Sequence, residues 1–181
     1  MEEAVEFTLE KQITLLDGRE VLLRAARPED AVDLLEIQRQ VFEEGLSNVT
    51  DELETVEERT EEITTMGSER LWLVAEYEDQ VVGSLELHRS SPIFLHHHLF
   101  LAIELHRDYR GGGLGSALMH QAAGWAKHQG YDFIRLGVLD TNPRAQGLYE
   151  RLGYRVYGHL PNFVKRRDGT YVGDTMMVLE L

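Results

Sequence analysis

The chain contains no cysteine, which excludes disulfides, thiolate metal centres and a cysteine nucleophile. Basic residues are scarce: 18 lysines and arginines stand against 32 acids, for a net charge of −14. Duplex nucleic acid needs a basic footprint, so it is excluded as a partner. No apolar run approaches membrane-spanning length. The acidic start Met1-Glu2-Glu3-Ala4-Val5-Glu6 lacks the basic-then-apolar order of a signal peptide. Together these absences predict a cytoplasmic protein without a membrane partner. A length of 181 residues predicts one domain over 1–181, with 1–20 as a first strand or arm. The acidity suits attraction of a cationic substrate and simple solubility alike.

A second absence is local. No acidic residue lies between Gly111 and Tyr131, although acids normally favour the first turn of a helix. In that gap an apolar strand over 95–105 runs into a turn with Arg110 and four glycines, Gly111, Gly112, Gly113 and Gly115. Leu114, Leu118, Ala122, Trp125 and Ala126 then fall at helical spacing. Glycines admit close approach of a ligand to the backbone, and the first amides of a helix attract anions. A phosphate cradle is predicted. The plainer alternative is a glycine turn before an ordinary buried helix.

Two phosphate-binding signatures fail on their residues. The only lysines are Lys11, Lys127 and Lys165, none after a glycine, so there is no Walker A loop. A dinucleotide fingerprint would need glycine where Ser116 or Leu118 stands. What fits is R-x-x-G-x-G, as Arg110-Gly111-Gly112-Gly113-Leu114-Gly115. About 30 residues on comes Asn142-Pro143-Arg144-Ala145-Gln146-Gly147-Leu148-Tyr149-Glu150-Arg151-Leu152-Gly153-Tyr154. Both motifs, in this order, resemble the acyl-CoA signature and the N-x-x-A-x-x-L-Y segment of the GNAT superfamily of N-acetyltransferases. The run from Arg24 through Arg27-Pro28-Glu29-Asp30 to Ala31 also looks like that superfamily's usual opening.

The resemblance implies an α+β fold: a central mixed, mostly antiparallel sheet of about six to seven strands flanked by about four helices. It implies acetyl-CoA as acyl donor and direct transfer of the acetyl group to a primary amine, on a small molecule or a protein. The backbone of Ile103, Glu104 and Leu105 would pair with the pantetheine arm. Arg110, Gly111, Gly112, Gly113, Leu114, Gly115 and Ser116 would hold the pyrophosphate. Asn142 and Ala145 would line the cofactor, and Tyr149 would protonate the departing thiolate, a role that suits a phenol. A non-catalytic acyl-CoA sensor or interaction domain is the alternative, and a homodimer is the default assembly.

Histidines 96–98 lie within the expected strand, His96 and His98 on one face and His97 on the other. His96 and His98 with His88 could approach a metal, but no fourth ligand is visible, and none is expected. By resemblance, His97 matches a histidine that one bacterial subgroup carries at the head of this strand, near the usual place of a general base. Glu86 and Glu104 compete for that role. The acidic stretch 43–69, with Val56, Ile63 and Met66 at helical spacing, predicts a second amphipathic helix. Gly45-Leu46-Ser47-Asn48 and Asn162-Phe163-Val164-Lys165 are expected to border the acceptor site.

Overall fold

The computed structural model describes residues 7–46, 54–90, 92–166 and 168–181. A hairpin opens the chain: β1 (Lys11–Thr14) pairs antiparallel with β2 (Glu20–Ala25) across the Asp17-Gly18 turn. Pro28–Asp30 makes one turn of 3-10 helix, leading into α1 (Ala31–Glu43). Pro28 suits that position, having no amide hydrogen to leave unpaired. α2 (Val56–Thr64) starts in a capping box, Thr55 Oγ1 accepting from Glu58 N at 3.2 Å while Thr55 N donates to Glu58 Oε2 at 2.8 Å.

β3 (Arg70–Tyr77), β4 (Gln80–Arg89) and β5 (His98–Leu105) form an antiparallel meander. α3 (Leu114–His128) crosses over to β6 (Phe133–Leu139), which pairs parallel with β5. α4 (Pro143–Arg151) then leads to the antiparallel pair β7 (Arg155–Lys165) and β8 (Tyr171–Glu180). The sheet order is β1-β2-β3-β4-β5-β6-β8-β7. Among the described residues, eight strands and four α-helices exceed the expected six to seven strands, because β1 joins the edge as a full ladder member. The alternation of Phe7 and Leu9 does not make a strand. Phe7 instead stacks on His128 of α3, its centroid 5.9 Å away.

Successive strand residues face opposite ways, and the sheet thereby carries two cores. Leu85, Leu87, Leu99, Leu101, Ile134, Leu136 and Met177 bury against Leu114, Leu118 and Ala122 of α3. On the other face Trp72, Val74 and Val81 meet Leu34, Ile37 and Val41 of α1 and Ile63 of α2. The intervening residues Ser84 and Glu86 of β4, and Ala102 and Glu104 of β5, therefore point to the α1–α2 face.

One expectation is corrected here. Only the last of the three histidines is strand: Ile93–Leu95 form a 3-10 turn capped by the amide of His96 on Ile93 O at 3.3 Å, and β5 begins at His98. Pro92 fixes the extended entry to that turn. His96, His97 and His98 consequently do not alternate across a sheet.

Candidate active site

β5 and β6 separate as they run. They pair at His98–Phe133, Leu99–Ile134 and Phe100–Arg135, and nowhere further. From 101 to 105 the edge of β5 faces a notch instead of a neighbour. Small residues line it on the α1–α2 face: Ala102 and, across on β6, Gly137, both exposed although they lie in central strands. Ile103, Glu104 and Leu105 thus present their backbone edge where an extended chain could add itself as a strand.

The notch leads into the glycine turn. Gly111 and Gly113 adopt φ of 86° and 94°, the left-handed region that side chains disfavour. Gly113 is the N-cap of α3, and no side chain caps it; no acid stands in the first turn. The amides of Gly113, Leu114, Gly115 and Ser116 face outward at the positive end of the helix, as an anion requires. From the other side the turn is fixed by Leu16 N donating to Gly112 O at 3.0 Å. Leu114 and Gly115 are buried, and a side chain on Gly115 would press Leu148 of α4 at 3.1 Å.

Arg110 is turned inward. Its Nε donates to Leu105 O at 3.0 Å, and its Nη1 donates to Glu44 at the end of α1. The cation that does stand at the turn is Arg144, whose guanidinium occupies the space a side chain on Gly111 would need. Arg144 belongs to the downstream motif, and its position two residues past the Asn142 N-cap was the signal that could have placed it.

Asn142 caps α4, its Oδ1 accepting from Ala145 N at 3.2 Å. The two residues expected to line the cofactor are therefore bonded to each other, and they set the angle of the helix that carries Tyr149. Tyr149 is buried, its ring 5.9 Å from that of Tyr154, and burial pushes its hydroxyl up to about 12. It keeps its proton at neutral pH.

The three base candidates occupy different settings. Burial pushes Glu104 up to about 7, with Arg59 pulling the other way and the Glu86 charge adding to the rise. Burial also opposes ionisation of Glu86, but His88 and Arg70 outweigh it and hold that carboxyl below its ordinary value; Arg70 Nη2 lies 2.8 Å from Glu86 Oε1. His97 lies at the closed end of the notch. Its carbonyl accepts from Asp132 N and Phe133 N, and its ring meets His98 at 4.1 Å between centroids. It lies seven positions before Glu104, on the order of 20 Å along an extended chain.

Glu104 borders a cavity of about 120 Å³ between the sheet and α1–α2, together with Ser84, Glu86, Trp72, Gln38 and Arg59. A larger hollow of about 340 Å³ lies by the β3–β4 turn, near Asp33, His106 and Tyr109, and contains none of the predicted site residues. Across the notch, the Asp174 carboxylate fills the space above Gly137, its Oδ2 2.7 Å from where a Cβ would stand. Burial, then the neighbouring Asp140 charge, raises Asp174 above its ordinary value, against the pull of His159. Arg59 and Asp174 were missed because nothing in their local sequence marks them. The acceptor borders are only partly visible: Ser47 and Asn48 lie outside the described residues, and 162–165 belong to β7. Gly45 does approach the β6–α4 loop, Thr141 Oγ1 donating to Gly45 O at 3.3 Å.

Comparison with known proteins identifies the family and the fold. Residues 31–154 match the model of the Acetyltransferase (GNAT) family. A GCN5-related N-acetyltransferase from Kribbella flavida is 28% identical, over 89% of this chain and 98% of its own, with a TM-score of 0.79. A ribosomal-protein-alanine N-acetyltransferase from Brucella melitensis is 24% identical, over 88% and 99%, at 0.81. A phosphinothricin acetyltransferase from Sinorhizobium meliloti, solved in complex with acetyl-CoA, shares the fold at 0.82 with 20% identity, over 89% and 88%. With the family match running from the start of α1 through the glycine turn to the end of α4, the chain belongs to the GNAT family of acetyltransferases.

Proposed function

We propose that the protein transfers the acetyl group of acetyl-CoA directly to the primary amine of an acceptor bound on the α1–α2 face. The observation that carries this reading is the continuity of the unpaired edge 101–105 with the uncapped start of α3. Ile103 to Leu105 bind the pantetheine amides as a neighbouring strand. Gly111 to Ser116, with Arg144 beside them, hold the pyrophosphate. Arg110 supports that turn from behind.

Glu104 is the general base. As a carboxylate it takes a proton from the acceptor's ammonium, directly or through one water, and the freed amine attacks the thioester carbonyl. The nitrogen–carbon bond forms and the carbon–sulfur bond breaks. Tyr149 donates its hydroxyl proton to the departing sulfur and regains one from the attacking nitrogen, which sheds its second proton as the amide forms, while Glu104 releases its proton to solvent. A carboxyl poised near neutrality suits this work better than Glu86, whose charge Arg70 engages, or His97, which sits at the closed end of the notch.

The test combines calorimetry with coenzyme A and a thiol-release assay over a panel of amines. Binding followed by amine-dependent thiol release is expected. Binding without release for any amine would leave an acyl-CoA sensor; no binding would remove the acyltransfer assignment altogether.

A further inference from the structure

We propose that Tyr154 is a positioning residue for Tyr149: its hydroxyl donates a hydrogen bond to the Tyr149 oxygen when that oxygen gives its proton to the departing sulfur. This rests on the acyltransferase reading above and adds a residue to it. The observation behind it is a hydroxyl with nothing to bond. Tyr154 is 3% exposed, and its oxygen is buried without a hydrogen-bond partner. The fold does satisfy such a group elsewhere, where buried Trp72 Nε1 donates to Ser84 Oγ at 2.8 Å. A phenylalanine would fill the same space without leaving a polar group unmade.

Placement gives the hydroxyl its partner. Tyr154 N donates to Tyr149 O at 3.0 Å, tying the two backbones together at the end of α4. Their rings lie 5.9 Å apart at 53°, both in the core on the α3 face. The next residue, Arg155, pairs with Val178, Val178 with Arg135, and Arg135 with Phe100. Phe100 is the last paired residue of β5 before the notch opens, so Tyr154 stands level with its closed end. An arm entering from the glycine turn ends there with its thioester. Burial, then the Tyr149 charge, pushes the Tyr154 hydroxyl above its ordinary value, so the two groups sense each other.

The step balances. Departure of the thiolate takes the proton from Tyr149 and leaves a buried phenolate. That ion is costly, since burial pushes the Tyr149 hydroxyl up to about 12. Tyr154 turns its hydrogen toward the new charge, directly or across one water, and keeps its own proton. The phenolate then recovers a proton from the nitrogen of the forming amide. A hydrogen bond made only to the charged state speeds the chemical step without tightening coenzyme A binding.

The first arm of the test measures thiol release from acetyl-CoA over a panel of primary amines. Tyr154→Phe should lower kcat by roughly 10- to 100-fold, the range for a hydrogen bond to a charged group, with KM for acetyl-CoA unchanged. In a Tyr149→Phe background the same change should matter less than about twofold, because the oxygen it serves is gone. The melting temperature of Tyr154→Phe should hold level or rise by about 2–5 °C, an unsatisfied hydroxyl having been removed. A merely structural hydroxyl predicts the reverse: a lower melting temperature and an intact kcat.

A second arm is independent of turnover. A fluorinated tyrosine in place of Tyr149, more acidic than tyrosine itself, is titrated by its phenolate absorbance. Its midpoint should lie about one pH unit or more higher in Tyr154→Phe than with Tyr154 present. That displacement without thiol release from any amine upholds the hydrogen bond and overturns the acyltransfer reading. Thiol release with equal midpoints and equal kcat overturns the role of Tyr154 and leaves acyl transfer standing.

Discussion

Arg110 Nε donates to the carbonyl oxygen of Leu105 at 3.0 Å, tying the cation of the glycine turn to the end of the strand before it. Glu44 holds the other side of the same guanidinium. The pair acts as a brace between α1, β5 and the turn, with both partners partly buried.

That arrangement predicts a sign. Arg110→Gln should lower the melting temperature and weaken coenzyme A binding about tenfold, from loss of charge-assisted hydrogen bonds worth roughly 1.5–3 kcal/mol. Glu44→Gln should weaken binding too, by about threefold, because the brace loosens. A direct phosphate ligand would behave oppositely, since removing Glu44 would free the arginine and tighten binding. Calorimetry on the two variants decides.

Glu104 should govern the pH profile. The base works as a carboxylate, so kcat/KM should climb as pH rises through about 7 and then level. Glu104→Gln should cost about 10²- to 10⁴-fold, as loss of a positioned base does, and abolish that limb. An undiminished limb in the variant would assign the proton transfer elsewhere.

The same carboxyl affects stability with a definite direction. Its folded value, about 7, is raised from 4.5, so the folded chain holds the proton more firmly than the unfolded one. Stability from this group is present below pH about 4.5 and is lost as pH rises to about 7. The shift and its partial exposure suggest roughly 2 kcal/mol. The melting difference, Glu104→Gln minus wild type, should therefore be about 5 °C more positive at pH 8 than at pH 4.5.

Tyr149→Phe keeps the buried ring and removes the donor. Turnover should fall at least about tenfold, within the usual span for a general acid, while the melting temperature moves by no more than about 3 °C. Because the hydroxyl is pushed up to about 12, wild-type kcat should show no falling limb from this residue below pH 10. Rate measurements from pH 6 to 10 check both statements.

Local signals made much of the site legible. Left-handed glycines at 111 and 113, the acid-free helix start and the Asn142 cap are short-range chemistry, and each stands where its residues place it. The histidine run misled because three histidines in an apolar stretch read as strand, while Pro92 and a 3-10 turn postpone β5 to His98. The rank of Glu86 and Glu104 was equally invisible. They lie on neighbouring strands two register positions apart, and what separates them is Arg70 reaching Glu86 across the sheet.

By itself the sequence determined the glycine turn, the helix behind it and the strand that leads into it, because backbone conformation and helix capping act within a few residues. Only the tertiary structure decided the surroundings of the proposed base and of the turn. Burial of Glu104 in the cavity it shares with Arg59, Asp174 above Gly137 and Arg144 beside Gly111 arise from packing between segments distant in the chain. Solvation and charge pairing depend on that packing, and no local pattern encodes them.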